Sequence, residues 1–277
     1  MTEYEPESPG SLALESSAPE HRFRAAAVLA GGASERMGGR DKQFLDAGGM
    51  PLAFRILNRL GAVFPEFMIV TNRPEGYRAY PGPLQAFPDR VRGFGPLSGL
   101  HAALSASSSP WVYVVACDTP EFDARWVRTL SEAILREEGA GRAPLAAAAG
   151  YGNHLEPFHA FYSRDLLPHI ESCFSRRTIP DRSCSIGSVL SGLQHLRIEE
   201  SVVRSLYPDW GLFRNINTPE DWASYRRDEA EVDDPVAGLQ GTPLGTGIDD
   251  KKHLEVRDWA QRLRRNRCAQ SRSQFQK

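Results

Sequence analysis

The chain has 277 residues, 41% of them hydrophobic, enough for one sizeable α/β domain with tails. Its 33 basic and 35 acidic residues leave a formal net charge of −2, so no global field draws in nucleic acid or an anionic membrane, and neither is expected as a partner. The four cysteines, Cys117, Cys173, Cys184 and Cys268, are too irregularly spaced to read as a disulfide framework or a zinc site. With no run of about 18 apolar residues, and an acidic, Pro/Ser-rich start where a signal peptide would be basic and then apolar, a cytoplasmic protein is expected.

Residues 1–22 carry Pro6, Pro9 and Pro19 among many Ser and Glu, a composition that cannot offset the entropy of ordering, and read as a disordered tail. Arg24 to Ala30 reads as a short buried strand. Pro51 opens a helix with apolar Leu52, Phe54, Ile56, Leu57 and Leu60. Strands follow at Phe67 to Thr71 and at Leu84 to Phe87, the latter ending near Asp89. A helix from Pro96 carrying Leu97, Leu100 and Leu104 leads to the strongest strand, Trp111 to Ala116.

Asp123 caps a helix with Val127, Leu130 and Ile134, and a small-residue strand follows near Leu145 to Ala149. This alternation predicts a mostly parallel sheet covered on both faces, with ligands at the carboxyl ends of its strands. Past Gly150 come a strand at Phe158 to Tyr162 and helices at Leu166 to Cys173 and Ser185 to Leu193. Thr218 then caps a last helix, with Pro219 in its first turn and Asp221 as the capping-box acid. One domain over 23–227 is expected, with 228–277 as a linker and tail, helical in part over 250–267.

The chemistry is concentrated in Leu29-Ala30-Gly31-Gly32-Ala33-Ser34-Glu35-Arg36-Met37-Gly38-Gly39-Arg40-Asp41-Lys42, which follows the first strand. Glycines there let backbone N–H groups converge on phosphate oxygens, and Arg36 and Lys42 supply charge that the backbone lacks. It is neither a Walker loop nor the three-glycine dinucleotide fingerprint. The strand from Trp111 delivers a second anchor, Asp118, to the same edge. A carboxylate there either caps a loop or holds a divalent cation, and beside a phosphate cradle Mg²⁺ is favoured, since it takes few carboxylates and completes its shell with phosphate and water. Both features fit nucleotidyl transfer, which needs alignment and charge neutralisation more than a protein nucleophile.

These motifs, with Gly95-Pro96-Leu97-Ser98-Gly99, Cys117-Asp118-Thr119-Pro120, Glu156-Pro157 and Asn215-Ile216-Asn217-Thr218-Pro219-Glu220-Asp221, occur in the order found in molybdenum cofactor guanylyltransferases. The chain resembles that family over about residues 23–226. The resemblance implies a Rossmann-like three-layer nucleotidyltransferase fold, Mg²⁺ as cofactor, and transfer of GMP from GTP to the terminal phosphate of molybdopterin. It implies nucleotide contacts from Leu29, Ala30, Gly31, Gly32, Lys42, Asp89, Gly95, Leu97 and Asp118, with Arg36, Lys42 and Asp118 at the reacting phosphates. Asp118 would hold the metal, and Asn215 and Asn217 the acceptor.

A monomer or weak homo-oligomer is expected, with molybdenum-insertion and molybdoenzyme-maturation proteins as candidate partners. Val70 stands where relatives often carry a polar nucleotide contact, and Gln43-Phe44-Leu45 also resembles cytidylyltransferases of isoprenoid synthesis. Two alternatives stay open on the residues alone. One is another nucleotidyltransferase, acting with CTP or on a sugar phosphate, and the other is a nucleotide-binding module without catalysis.

Overall fold

A computed structural model describes residues 22–31, 41–176 and 184–230. Its strands are β1 (Ala25–Leu29), β2 (Glu66–Val70), β3 (Gln85–Phe87), β4 (Trp111–Ala116), β5 (Ala146–Tyr151), β6 (His154–Leu155), β7 (Ala160–Ser163) and β8 (Leu196–Ile198). The helices are α1 (Leu52–Gly61), α2 (Pro96–Ala106), α3 (Ala124–Gly139), α4 (Leu167–Ser175), α5 (Ile186–Leu190), α6 (Glu200–Leu206) and α7 (Pro219–Ala230).

The strands form one sheet in the order β3-β2-β1-β4-β7-β5-β6, with β8 pairing β5. β1 lies parallel between β2 and β4, and β7 runs antiparallel to both β4 and β5. The small residues Ala25, Ala26 and Ala27 let β1 sit fully buried at the centre, as its all-apolar sequence predicts. On one face α1 and α3 cover the sheet through Leu57, Leu60, Trp126 and Leu130. On the other, α2, α4 and α5 do so through Leu97, Leu100, Ile170 and Ile186. These are the three layers expected from the alternating pattern.

Two close approaches shape the site. Gly95, at φ 56, makes the turn into α2, a conformation that favours glycine. Gly99 then lets α2 lie against the end of β1, where a Cβ would stand 3.2 Å from Leu29 Cδ1. The capping expected at α7 is present: Asp221 accepts from the backbone N–H groups of Asn217 and Thr218, and the Thr218 hydroxyl accepts from the Asp221 N–H.

The differences have physical reasons. The strand expected from Phe158 begins at Ala160, because His159 at φ 51 interrupts extended backbone. β6 and β8, of two and three residues, are too short to show a period, and α6 opens without a side-chain cap. α7 continues to Ala230, past the boundary expected near Arg227. Cys173 and Cys184 form a disulfide that the irregular cysteine spacing did not lead one to expect: the chain fold, not regular spacing, brings α4 and the start of α5 together. Cys117 is free and buried, and Cys268 lies outside the described residues. So do residues 1–21 of the tail expected over 1–22, whose last residue, Arg22, pairs with Glu138, and the helix over 250–267. Among the described residues no helix is long and apolar enough to cross a membrane.

Candidate active site

From β1 the chain runs to β2 on one side and later returns to β4 on the other, so a switch in strand order falls between β1 and β4. Ligands of open α/β sheets bind at the carboxyl ends of strands at such points. The register pairs Leu29 with Ala116, and the Cys117 N–H donates to the Leu29 carbonyl at 3.0 Å. Ala30 and Gly31 therefore emerge beside Cys117 and Asp118. Together with Asp41, Lys42, Gln43, Pro96 and Phe158 they line a cavity of about 210 Å³.

Lys42 opens a 3-10 turn, Lys42–Phe44, whose capping residue is Asp41. Buried Gln43 anchors this turn: its amide nitrogen donates to both Asp41 oxygens at 2.8 Å, and its carbonyl accepts from the hydroxyls of Tyr77 and Thr71. Arg73 adds an ion pair to Asp41 at 2.9 Å. The Lys42 ammonium donates to the Ile216 carbonyl at 2.8 Å and to Asn217 Oδ1 at 3.0 Å. The last motif of the chain thus meets the first across the cavity's edge.

Asp118 is held through its backbone, whose carbonyl accepts from the Ile216 N–H at 2.7 Å. Burial pushes its carboxyl above the ordinary range, while Lys42 pulls it back. Glu156 is raised by burial, and to a lesser degree by Asp118, while the Phe158 N–H opposes the shift. Burial also pushes the Cys117 thiol well above its usual value, so it offers no thiolate nucleophile. Among the described residues no group of three or more His, Cys, Asp or Glu could hold a metal ion. What the site offers a cation is the partly desolvated carboxylate of Asp118, since Asp41 on the same cavity is engaged by Gln43 and Arg73. That suits a hard ion such as Mg²⁺, which keeps phosphate and water ligands, and not a structural zinc.

The other expected residues fall in three places. Leu29, Ala30, Gly31, Lys42 and Asp118 share the cavity. Asp89 borders it, its Oδ2 standing 3.8 Å from where a Cβ on Gly31 would be, and it accepts from Asn72 at 3.1 Å. Asn72 thus brings to this edge an amide that buried Val70 does not supply. Gly95 and Leu97 instead line a neighbouring cavity of about 720 Å³ with Leu155, Ile186 and Arg197, and the two cavities share Pro96. Asn217 holds Lys42, and Asn215 is exposed. Gly32 and Arg36 lie outside the described residues. Sequence reasoning had given no role to Asp41, Gln43 or Phe158, although Asp41 and Gln43 flank Lys42 directly.

The family described as MobA-like NTP transferase domain matches residues 26–184. A molybdenum cofactor guanylyltransferase of Syntrophotalea carbinolica is 36% identical over 206 residues, covering 74% of this chain and 92% of its own. A probable molybdenum cofactor guanylyltransferase of Peptoclostridium acidaminophilum is 35% identical, covering 73% of this chain and 88% of its own. The crystal structure of molybdopterin-guanine dinucleotide biosynthesis protein A from Archaeoglobus fulgidus has the same fold. Its TM-score is 0.61 at 21% identity, over 75% of this chain and 100% of that one.

Proposed function

The chain belongs to the MobA-like NTP transferases, and within them to the molybdenum cofactor guanylyltransferases; from that premise we propose that it transfers GMP from GTP to the terminal phosphate of molybdopterin. An acceptor phosphate oxygen bonds to the α-phosphorus, the bond from that phosphorus to the bridging oxygen breaks, and pyrophosphate leaves. The observation that carries this reading is the convergence of Lys42 and Asp118 on the cavity at Leu29, Ala30 and Gly31. A cation and a partly buried carboxylate on one cavity suit a polyphosphate and its counter-ion.

In this reading Ala30 and Gly31 contact the nucleotide through their backbone, and Asp89 and Asn72 offer polar groups at the adjoining edge. Lys42 faces the phosphates. Its two hydrogen bonds hold the ammonium at the cavity without neutralising it, because both partners are uncharged oxygens. Asp118 would hold Mg²⁺, which when bound neutralises charge growing on the phosphate oxygens. Asn217 uses its oxygen on Lys42 and keeps its N–H₂ donors for the acceptor, with Asn215 beside it. A cytoplasmic setting, and Arg36 as a second cation, complete the proposal.

Pyrophosphate release measured with each nucleoside triphosphate, with and without molybdopterin, tests it. Release is expected with GTP only when molybdopterin is present. Preference for CTP, or GTP binding that raises the melting temperature without turnover, would overturn the guanylyl assignment.

A further inference from the structure

Asp118 sits on a loop, yet a catalytic carboxylate must be held within about 0.5 Å of its working place. Arg59 donates to the Pro120 carbonyl of that loop at 3.0 Å, and nearer Asp118 the loop is anchored by His159. Its ring is fully buried, and its Nε2 lies 3.2 Å from the carbonyl of Thr119, the residue after Asp118. A carbonyl only accepts, so Nε2 carries the proton. Nδ1 is therefore an acceptor, and it lies 3.1 Å from the hydroxyl of Tyr113 on β4, the strand that bears Asp118. The ring also meets Phe213 edge-on, at 5.7 Å, where the chain turns towards Asn217.

The backbone confirms how firmly this ring is placed. His159 stands at φ 51, an uncommon region for residues with a Cβ, though one that histidine enters more readily than most. The Trp126 indole N–H donates to the His159 carbonyl at 2.7 Å and secures the conformation. One neutral imidazole thus joins β4, the segment ahead of β7 and the segment ahead of α7. Burial, which holds the ring in its neutral form, agrees with this bonding.

We propose that His159 is a positioning residue of the transfer reaction: with its proton on Nε2, it tethers the Thr119 carbonyl and so sets where the Asp118 carboxylate meets the nucleotide-bound cation. The inference rests on the reading of Asp118 given under Proposed function. It concerns a residue that touches neither substrate nor metal, and it requires that losing the Nε2 donor weaken cation binding while the protein stays folded.

The test compares His159→Gln, whose amide nitrogen reaches the Nε2 position, with His159→Met, of similar length but without a donor. Mn²⁺ is the probe, followed by its free-ion electron paramagnetic resonance signal, with a non-transferable α,β-methylene analogue of GTP present. Expected for His159→Met is an Mn²⁺ affinity lowered by about tenfold or more, the usual effect of losing an outer-shell partner, with analogue affinity in EDTA unchanged. His159→Gln is expected to stay within about threefold of the unsubstituted protein.

Should His159→Met not fold, His159→Asn takes its place, since asparagine suits the positive φ but its short amide stops before Thr119. Undiminished Mn²⁺ affinity in a folded donor-less variant overturns the proposal, as do equal losses in the Gln and Met variants. If the unsubstituted protein binds no Mn²⁺ beside the analogue, or if Asp118→Asn leaves that binding intact, the metal reading of Asp118 fails and the role of His159 fails with it.

Discussion

The ammonium of Lys42 and the side-chain oxygen of Asn217 lie 3.0 Å apart, and the neighbouring Ile216 uses its carbonyl on Lys42 and its N–H on Asp118. A two-residue segment near the end of the domain therefore spaces the cation from the acid.

Replacing Lys42 by Ala is expected to lower the rate of pyrophosphate release by about 10²–10³-fold, the scale seen when one preorganised donor to a developing charge is lost. Asn217→Ala leaves the ammonium with one anchor and is expected to cost about tenfold. Because Asn217 acts largely through Lys42, the double variant should be little worse than Lys42→Ala. Full additivity in steady-state kinetics would mean that Asn217 contributes through the acceptor alone and nothing through Lys42.

Asp118→Asn keeps the shape and removes the charge. Activity and its response to added Mg²⁺ are both expected to collapse, a loss of about 3 kcal/mol or more in transition-state stabilisation. Without metal the sign reverses, because a partly buried carboxylate beside a triphosphate repels it. In EDTA the GTP-induced rise in melting temperature should be as large in Asp118→Asn as in the parent, or larger. A smaller rise would remove Asp118 from the phosphate side.

How much of this was legible follows from how each residue reaches the site. Leu29-Ala30-Gly31 and Cys117-Asp118 sit at the ends of strong apolar runs, so strand periodicity alone delivers them to one edge. The Thr218-Pro219-Asp221 cap is local chemistry and was equally readable. Gln43, Phe158 and His159 were not. Gln43 matters through Tyr77 and Thr71, and His159 through Tyr113 and Thr119, partners that meet only after the sheet has formed. Gly95 and Leu97 follow the family motif, yet the turn into α2 points them to the neighbouring cavity, sharing only Pro96 with the smaller one.

The Cys173–Cys184 bridge closes a loop with a sequence separation of 11 and joins the end of α4 to the start of α5. By loop-closure entropy a bridge of that span contributes about 3 kcal/mol. Reduction, or Cys184→Ser, is expected to lower the melting temperature by about 5–10 °C in a domain of this size. Thermal melts with and without dithiothreitol check this, and activity at low temperature should persist, since neither cysteine lines the cavity at Asp118. An unchanged melting temperature would mean that the unfolded chain gains nothing from release of the bridge.

Burial lowers the pKa of His159 to about 4, from the ordinary 6.5. Above pH 6.5 the ring is neutral whether the chain is folded or not, so the difference costs nothing there. Below it the unfolded chain takes up a proton that the folded one refuses, and stability falls by about 1.4 kcal/mol per pH unit until the folded ring also titrates near 4. Carboxylates elsewhere change stability over the same range, so the informative quantity is a difference. Urea unfolding of the parent and of His159→Gln at about pH 7.5 and about pH 5.5 should show the parent losing about 1.4 kcal/mol more than the variant. Equal losses would mean that the folded protein accepts the proton at His159. A charged ring would keep its Nε2 donor on the Thr119 carbonyl and donate from Nδ1 to the Tyr113 oxygen, so protonation would reverse the Tyr113 bond and leave the tether in place.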